Sequence, residues 1–323
     1  MKKRIHRKLG KITVKNRTVS NQPSRRMGGL EKESAKYILS SKRGMMGKTT
    51  NPNPGQHTVN FRKKHCDTSY KTVEDTKVVI FCHFYYNDLI GEILSYIDNL
   101  ICKEKTLWVS LPCHNPSRPD AASVRKKNTI LERFSDANIV FVPNRGKDIG
   151  GKLVCLQKYL EESKPGKNEW MIFCHDKKSP HVPEEHGRAW RRDLLSSIFN
   201  KEKVYRALCH CQGKAEVQMW GARVREGIVN SKAIAVHMGN TGYMLDLCRT
   251  FAMRNLPFTG AFIGGTMFWV KDSFFRQKFS RINLQAIIKK LERGDVQEPS
   301  YTHAVERLFG LLVTNDGYKI GII

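Results

Sequence analysis

From about residue 77 onward, apolar positions follow two alternating rhythms. The unbroken runs Val78–Tyr86 (VVIFCHFYY), Leu107–Leu111 (LWVSL), Asn138–Val142 (NIVFV) and Trp170–Cys174 (WMIFC) have the length and the β-branched or aromatic content of buried strands. Between them, apolar residues recur every three or four positions, the period of a helix with one buried face. The first such segment runs from a cap at Asn87 or Asp88 to about Leu100. The second spans about Ala121–Phe134, with Val124, Ile130, Leu131 and Phe134 on its apolar side. The third follows the loop PNRGKDIGG and turns Leu153, Leu156 and Leu160 inward. Strands alternating with helices predict a Rossmann-like α/β fold: a mainly parallel sheet with helices on both faces.

Beyond Trp170 the rhythm is less regular. Pro180 and Pro183 exclude a regular element just after the strand, so His175, Asp176, Lys177, Lys178 and Ser179 fall on a loop. A helix from near Glu184 carries Arg188, Trp190, Arg191 and Arg192, and a second covers about 201–210. A strand at Val217–Val224 and a helix at about Thr241–Met253 follow. Phe258–Val270 is glycine-rich and then strand-like; Gly264 and Gly265 either let the backbone approach a ligand or form a bulge. Helices near 282–293 and 299–311 complete the pattern.

Charge divides the chain in two. The net charge is +26. Residues 1–76 hold roughly 19 Lys/Arg against about 5 Asp/Glu, with few apolar residues and no sustained period. Such a segment buries too little to offset the entropy of ordering, so it reads as a disordered basic tail ahead of a folded domain at 77–323. A basic tail can contact an anionic membrane surface or simply be solvated. Nucleic acid is not an expected partner, because no helix-turn-helix, RNP or zinc pattern accompanies the charge.

No apolar run reaches the roughly 18 residues of a spanning helix, and MKKRIHRKLGKITVKNR has no apolar core of the secretory kind. The nine cysteines include no CxxC pair, and Cys82, Cys155 and Cys174 lie in or beside apolar runs. The expectation is a reducing, cytoplasmic location, soluble or peripheral at a membrane.

In an open α/β sheet, ligands bind beyond the carboxyl ends of the strands. Two loops there carry candidate chemistry. Asn144-Arg-Gly-Lys-Asp-Ile-Gly-Gly151 joins a strand to a helix start, where backbone N–H groups and the charges of Arg145 and Lys147 suit a phosphate. The alternative is a tight βα turn with Asp148 as helix cap. The loop His175–Ser179 places a histidine, an aspartate and two lysines at a strand end, which suits an anion; the alternative is a solvated basic loop.

Four pieces in order resemble the rhamnan synthesis protein F family of bacterial polysaccharide assembly: NRGKDIGGKL (144–153), HDKKS (175–179) with GRAWRRDLL (187–195), GTMFWVK (265–271) and THAVERLFG (302–310). The first strand, with His83, Tyr85 and Asp88, is similar to the start of that family's domain. The resemblance covers about 78–312. It implies a GT-A-like glycosyltransferase that moves a deoxyhexose, with dTDP-rhamnose as donor, to a glycan or lipid-linked acceptor. Enzymes of that type carry DxD at the central strand-end loop, to hold Mg²⁺ or Mn²⁺ on the diphosphate. Here the loop reads His-Asp-Lys-Lys. Two ammonium groups can neutralise a leaving diphosphate themselves, so metal-independent transfer is expected, with Lys177, Lys178 and an arginine (Arg191 or Arg192) in the metal's place; Asp176 with His175 remains an alternative Mg or Mn site.

An inverting transferase needs a general base. Glu306 is preferred over Asp176 and Asp148, because it sits among Ala304, Val305, Leu308 and Phe309 and lies in a resembling motif. Its alternative is an ion pair with Arg307 or another basic group. The expected substrate contacts are Asn144, Arg145, Gly146, Asp148, His175, Lys177, Arg191, Gly265, Thr266 and His303, with Lys178 and Asp176 joining Glu306 in catalysis. Phe268, Trp269 and Trp190 are candidates to stack on a sugar or base, or are core. A nucleic-acid-binding protein and an inactive glycan-binding scaffold are the readings set against the transferase.

Overall fold

A computed structural model describes residues 57–61, 72–179, 182–212, 216–222, 239–253 and 260–323. Arg223, Val224 and Phe258, included in the expected strand segments, lie outside the described residues, as does most of the expected tail. The described strands are β1 (Thr58–Asn60), β2 (Lys77–His83), β3 (Glu104–Pro112), β4 (Asn138–Val142), β5 (Trp170–His175), β6 (Val217–Gly221), β7 (Phe268–Lys271) and β8 (Lys319–Ile322). They form one sheet in the order β1-β8-β6-β7-β5-β2-β3-β4. The helices are α1 (Ile90–Asn99, after a 3₁₀ turn at Asn87–Leu89), α2 (Ala121–Arg133), α3 (Lys147–Glu162), α4 (Glu184–Phe199), α5 (Lys201–Gln212), α6 (Thr241–Thr250), α7 (Asp272–Phe279), α8 (Leu284–Lys290) and α9 (Tyr301–Asn315).

The expected α/β class is borne out. Strands β4, β3, β2 and β5 are parallel neighbours; β2 and β5 are buried apolar runs, as strands covered on both faces require, while β4 at the sheet edge is half-buried up to Val142. Register then fixes a row: His83 at the end of β2 stands opposite Ser110 of β3 and His175 of β5. Strand β7 runs antiparallel to both β5 and β6, with Phe173 opposite Phe268. Its start therefore meets the carboxyl end of β5, and the Gly265–Thr266 turn arrives beside His175.

Phe268 and Trp269 are core residues rather than a stacking platform. Trp269 stacks on Trp220 at 4.9 Å and Phe268 on Phe173 at 4.8 Å, all fully buried. Three elements had no sequence expectation: β1, α7 and β8. Strand β1 lies inside the segment read as tail. It pairs with β8, and the following Phe61 is 6 % exposed with its ring over Gly321, where a Cβ would collide with it. Phe61 also stacks on His210 at 4.8 Å. Val73 is buried too, so the folded body starts before Lys77. Burying a phenylalanine contributes about 2–3 kcal/mol, enough to hold a three-residue strand that its own pattern is too short to announce. Helix α2 turns Ser123, Lys126 and Ile130 inward and leaves Val124 exposed, because Lys126 reaches back to the Tyr85 carbonyl.

Candidate active site at the carboxyl edge of the sheet

The entry to α3 is built on small residues. Gly146 has φ 69° and Lys147 φ 51°, so two successive left-handed residues turn the chain from β4 into the helix. Gly150 lies against the Arg145 carbonyl, and Gly151 against His83 and Ser110; a Cβ at either would collide. These glycines bring the first turns of α3 onto the ends of β2 and β3. Gly146 takes the cap position, so Asp148 is not the cap. Its carboxylate turns inward instead, where Oδ2 accepts from the Thr266 hydroxyl at 2.5 Å and pairs with Lys152 Nζ at 2.6 Å.

Lys152 is fully buried. Its ammonium also donates to the Thr266 hydroxyl oxygen at 2.7 Å and to the Thr266 carbonyl at 2.9 Å. His175 Nδ1 lies 3.4 Å from both Lys152 Nζ and Asp148 Oδ2. Burial opposes the charge on Asp148, but His175, Lys152 and the hydrogen bonds from Lys152 and Thr266 override it and hold the carboxyl well below the usual range. Burial drives His175 well below 6.5, so its ring is neutral near pH 7 and the charge partner of Asp148 is Lys152. His83, hydrogen-bonded to Ser110 at 2.9 Å, is lowered by burial to about 4.

The loop after β5 separates its four polar residues. Asp176 is 4 % exposed; its Oδ2 accepts from the Tyr86 N–H and its Oδ1 has no hydrogen-bond partner among the described residues. Burial raises this carboxyl to about 7, against the pull of the Tyr85 and Tyr86 N–H groups and Lys126. Lys177 lies over the Trp190 ring at 4.1 Å. Burial lowers its ammonium, against the opposing charges of Asp148 and Glu306. Lys178 points elsewhere: it pairs with Asp88 at 2.6 Å and lies over Tyr86 at 4.9 Å. The buried Ser179 hydroxyl, on a residue with φ 52°, is also unpartnered among the described residues. Arg191 does not present a free guanidinium. It forks onto Glu92 at 2.9–3.2 Å and donates to the Lys177 carbonyl at 2.9 Å, bracing the loop from behind.

Glu306, on α9, is half-buried and accepts from the Gly265 N–H at 2.7 Å. The expected alternative, a pair with Arg307, does not form; Arg307 pairs with Glu298 at 2.9 Å. Gly265 and Thr266 have φ 80° and 48°, a strained turn held by Glu306 on one side and Lys152 on the other. His303 sits one turn before Glu306 with its Nδ1 2.6 Å from the Ser300 hydroxyl, and burial lowers it.

The Asn144–Lys147 loop differs from the expected phosphate cradle. Arg145 donates to the carbonyls of Lys289 at 2.9 Å and Leu291 at 2.5 Å. The Gly146 N–H donates to the Glu292 carbonyl at 2.7 Å, the Asn144 carbonyl accepts from Gly294, and Lys147 pairs with Asp295 at 2.8 Å. Sequence reasoning gave no site role to Lys152 or Ser110, and named His83 only as part of the resemblance. Lys152 had a signal: it is a lysine on the same helix side as Ile149, Leu153 and Leu156, and it stands four residues after an aspartate.

The profile of the rhamnan synthesis protein F family matches residues 44–318, which include every site residue above. The chain belongs to the rhamnan synthesis protein F family. It is also similar to the uncharacterized protein WxcX in two strains of Xanthomonas campestris pv. campestris, each 24% identical over 251 residues and 75% of this chain. The chain spans about a third (32%) of the length of these relatives. Among solved structures it is similar to the mannosyltransferase PcManGT of Pyrobaculum calidifontis in complex with GDP-Man and Mn²⁺, at 12% identity and TM-score 0.39, covering 92% of this chain and 64% of that one. A second is the mannosyltransferase Ktr4p of S. cerevisiae, at 8% identity and TM-score 0.29, covering 91% and 78%.

A divalent metal fits these residues poorly. The central loop offers one carboxylate, Asp176, whose proton is held to about pH 7, and Lys178 stands where a second would be needed. The next carboxylate, Asp148, already carries the Lys152 ammonium. Among the described residues no three His, Cys, Asp or Glu side chains converge.

Proposed function

We propose that this chain is an inverting glycosyltransferase that moves rhamnose or a related deoxyhexose from a nucleotide sugar to a glycan or lipid-linked acceptor. Membership of a rhamnan synthesis family supports the donor class, and dTDP-rhamnose is the donor assigned. The observation that carries the reading is convergence. Asp148, His175 with Lys177, Gly265 with Thr266, and Glu306 come from four distant segments, yet meet at the carboxyl edge of one sheet.

In this reading Glu306 takes the proton of the acceptor hydroxyl. Its hold on Gly265 supports that role by fixing the carboxylate's position. Lys177 faces the leaving diphosphate, with its ammonium set by the Trp190 ring. Lys178, shared with Asp88, contributes at the rim. Asp176 offers the unpartnered Oδ1 to a substrate hydroxyl, as donor or acceptor, because its proton is near balance at neutral pH. Asn144, Arg145 and Gly146 act by holding the α3 entry, and His303 lies beside Glu306. Charge neutralisation by lysine makes the transfer metal-independent. No helix of the described residues is long and apolar enough to cross a membrane, and the basic N-terminal segment supports a peripheral, cytoplasmic placement against anionic lipid.

The test uses the full chain. dTDP-rhamnose should raise its melting temperature, and transfer should survive EDTA. Glu306→Gln should keep the donor-induced shift and lose about 10²–10⁴-fold in transfer. A chain that no nucleotide sugar stabilises and that transfers nothing sinks the proposal; near-normal turnover of Glu306→Gln moves the base to Asp176.

A further inference from the structure

Three acceptor oxygens converge on one buried point beneath the site, Asp148 Oδ2 and the Thr266 hydroxyl and carbonyl oxygens, with His175 Nδ1 beside them. A carboxylate, two neutral oxygens and an imidazole nitrogen form a ligand set of the kind that holds Mg²⁺ or Mn²⁺. That point is taken. Lys152 Nζ stands there, 2.6, 2.7 and 2.9 Å from the three oxygens and 3.4 Å from the ring nitrogen, with none of its side chain exposed.

We propose that the Lys152 ammonium is the resident cation of this site, in the position that the same ligands would otherwise give to a divalent metal. A lysine is rarely buried to this degree, because removing its charge from water costs several kcal/mol unless every donor is matched. Here the three ammonium hydrogens meet three oxygens. The residue earns its place by what it holds together. Lys152 ties α3 to the Thr266 backbone, in a left-handed conformation that a threonine does not adopt unaided. The adjoining Gly265 N–H in turn orients Glu306. Lys152 is therefore a positioning residue: it touches no substrate, and it sets the turn that reaches the outer layer of the site. A tethered ammonium carries one positive charge, cannot dissociate and does not respond to chelators.

This inference stands on the ligand geometry and goes beyond the transfer reaction; its readouts are stability and metal binding, which are measured whether or not the chain transfers sugar. The full chain and its Lys152→Ala, Asp148→Asn and Lys152→Ala/Asp148→Asn forms are melted in EDTA and in excess Mn²⁺, with bound Mn²⁺ followed by electron paramagnetic resonance. The native chain should be indifferent to both additions. Lys152→Ala empties the slot, so Mn²⁺ at about a hundredfold excess over its Kd should raise Tm by roughly 5 °C, and the added Asp148→Asn change should remove that gain. A simple loss of packing would destabilise Lys152→Ala without creating metal affinity, so a Lys152→Ala chain that folds and ignores Mn²⁺ overturns the proposal. Should Lys152→Ala not fold even with Mn²⁺, the native chain decides. Tight Mn²⁺ binding that Asp148→Asn abolishes overturns the proposal, and the absence of such binding supports it.

Discussion

Two loops at the same sheet edge, Asn144–Lys147 and Asp176–Ser179, look equivalent in sequence: both follow a buried strand, both precede a helix and both carry two basic residues. Their structures differ in what the polar atoms do. The first loop has committed them to the protein, with Arg145 on two carbonyls, the Gly146 N–H on a third, and Lys147 on Asp295. The second keeps two buried polar atoms without partners among the described residues, Asp176 Oδ1 and Ser179 Oγ, and an ammonium, Lys177, lowered by burial. An unsatisfied buried group costs about 1–3 kcal/mol, which a scaffold loop avoids and a ligand can recover. A basic strand-end loop is thus a better candidate site when it keeps buried polar atoms that the described residues do not pair.

The largest expected effect probes Asp176. Burial raises its carboxyl from 3.8 to about 7, so its contribution to stability is full below about pH 4 and is lost as pH rises through about 7. His83, lowered by burial from 6.5 to about 4, does the reverse: its contribution is full above 6.5 and is lost as pH falls toward 4. The two slopes oppose each other. Asp176→Asn should be more stable than the native chain at about pH 8, by as much as roughly 4 kcal/mol, and should lose stability steadily on acidification below 6.5. Urea unfolding across that range reads both, and parallel profiles for the two proteins would contradict the assignment.

Next is the contrast between the lysines of the two loops. Lys177→Met should lower kcat about 10²-fold, roughly 3 kcal/mol, with little change in KM, as for loss of one fixed charge at the leaving group. Lys147→Met should stay within several-fold of the native rate. Equal losses would mean that the first loop also meets substrate.

A smaller effect tests the scaffold role directly. Gly150→Ala drives a Cβ into the Arg145 carbonyl, so it should destabilise the fold by about 2–3 kcal/mol in urea, since backbone cannot yield as a side chain does. Unchanged stability would show that the α3 entry is loosely held.

Smallest is Lys178→Ala. Its pair with Asp88 is more than a third exposed on both sides, so stability should change by under about 1 kcal/mol and kcat by less than in Lys177→Met. A larger kinetic loss than at Lys177 would reverse the roles of the two.

Much of the parallel half was legible because its signal is local. Asn138–Val142 matches β4 residue for residue, and the runs for β2, β3 and β5 fall within a few residues of the strands observed. Each is a continuous apolar run closed by a polar loop. The outer half was harder. β1 and β8 are three and four residues long, and what stabilises them is pairing with each other and the burial of Phe61, neither of which leaves a periodic trace. Asp148, His175, Thr266 and Glu306, which the fold brings together, were named as candidates through their motifs. Lys152 was passed over because a lysine within a helix reads as surface, and only its partners show otherwise.

The sequence by itself determined the α/β alternation, the basic N-terminal segment and the motifs from which the site is drawn. Hydrophobic period, charge and residue order act over a few neighbours and are visible in one dimension. Tertiary structure alone decided which charges face the site and which face the protein. Lys177 and Lys178 are adjacent in the chain, yet one lies over the Trp190 ring and the other pairs with Asp88. Arg145, Arg191 and Lys152 became internal ties because acceptors from distant segments were waiting where their side chains reach. A side chain's charge is written in the sequence, but whether that charge is already paired depends on what the fold brings within about 3 Å of it.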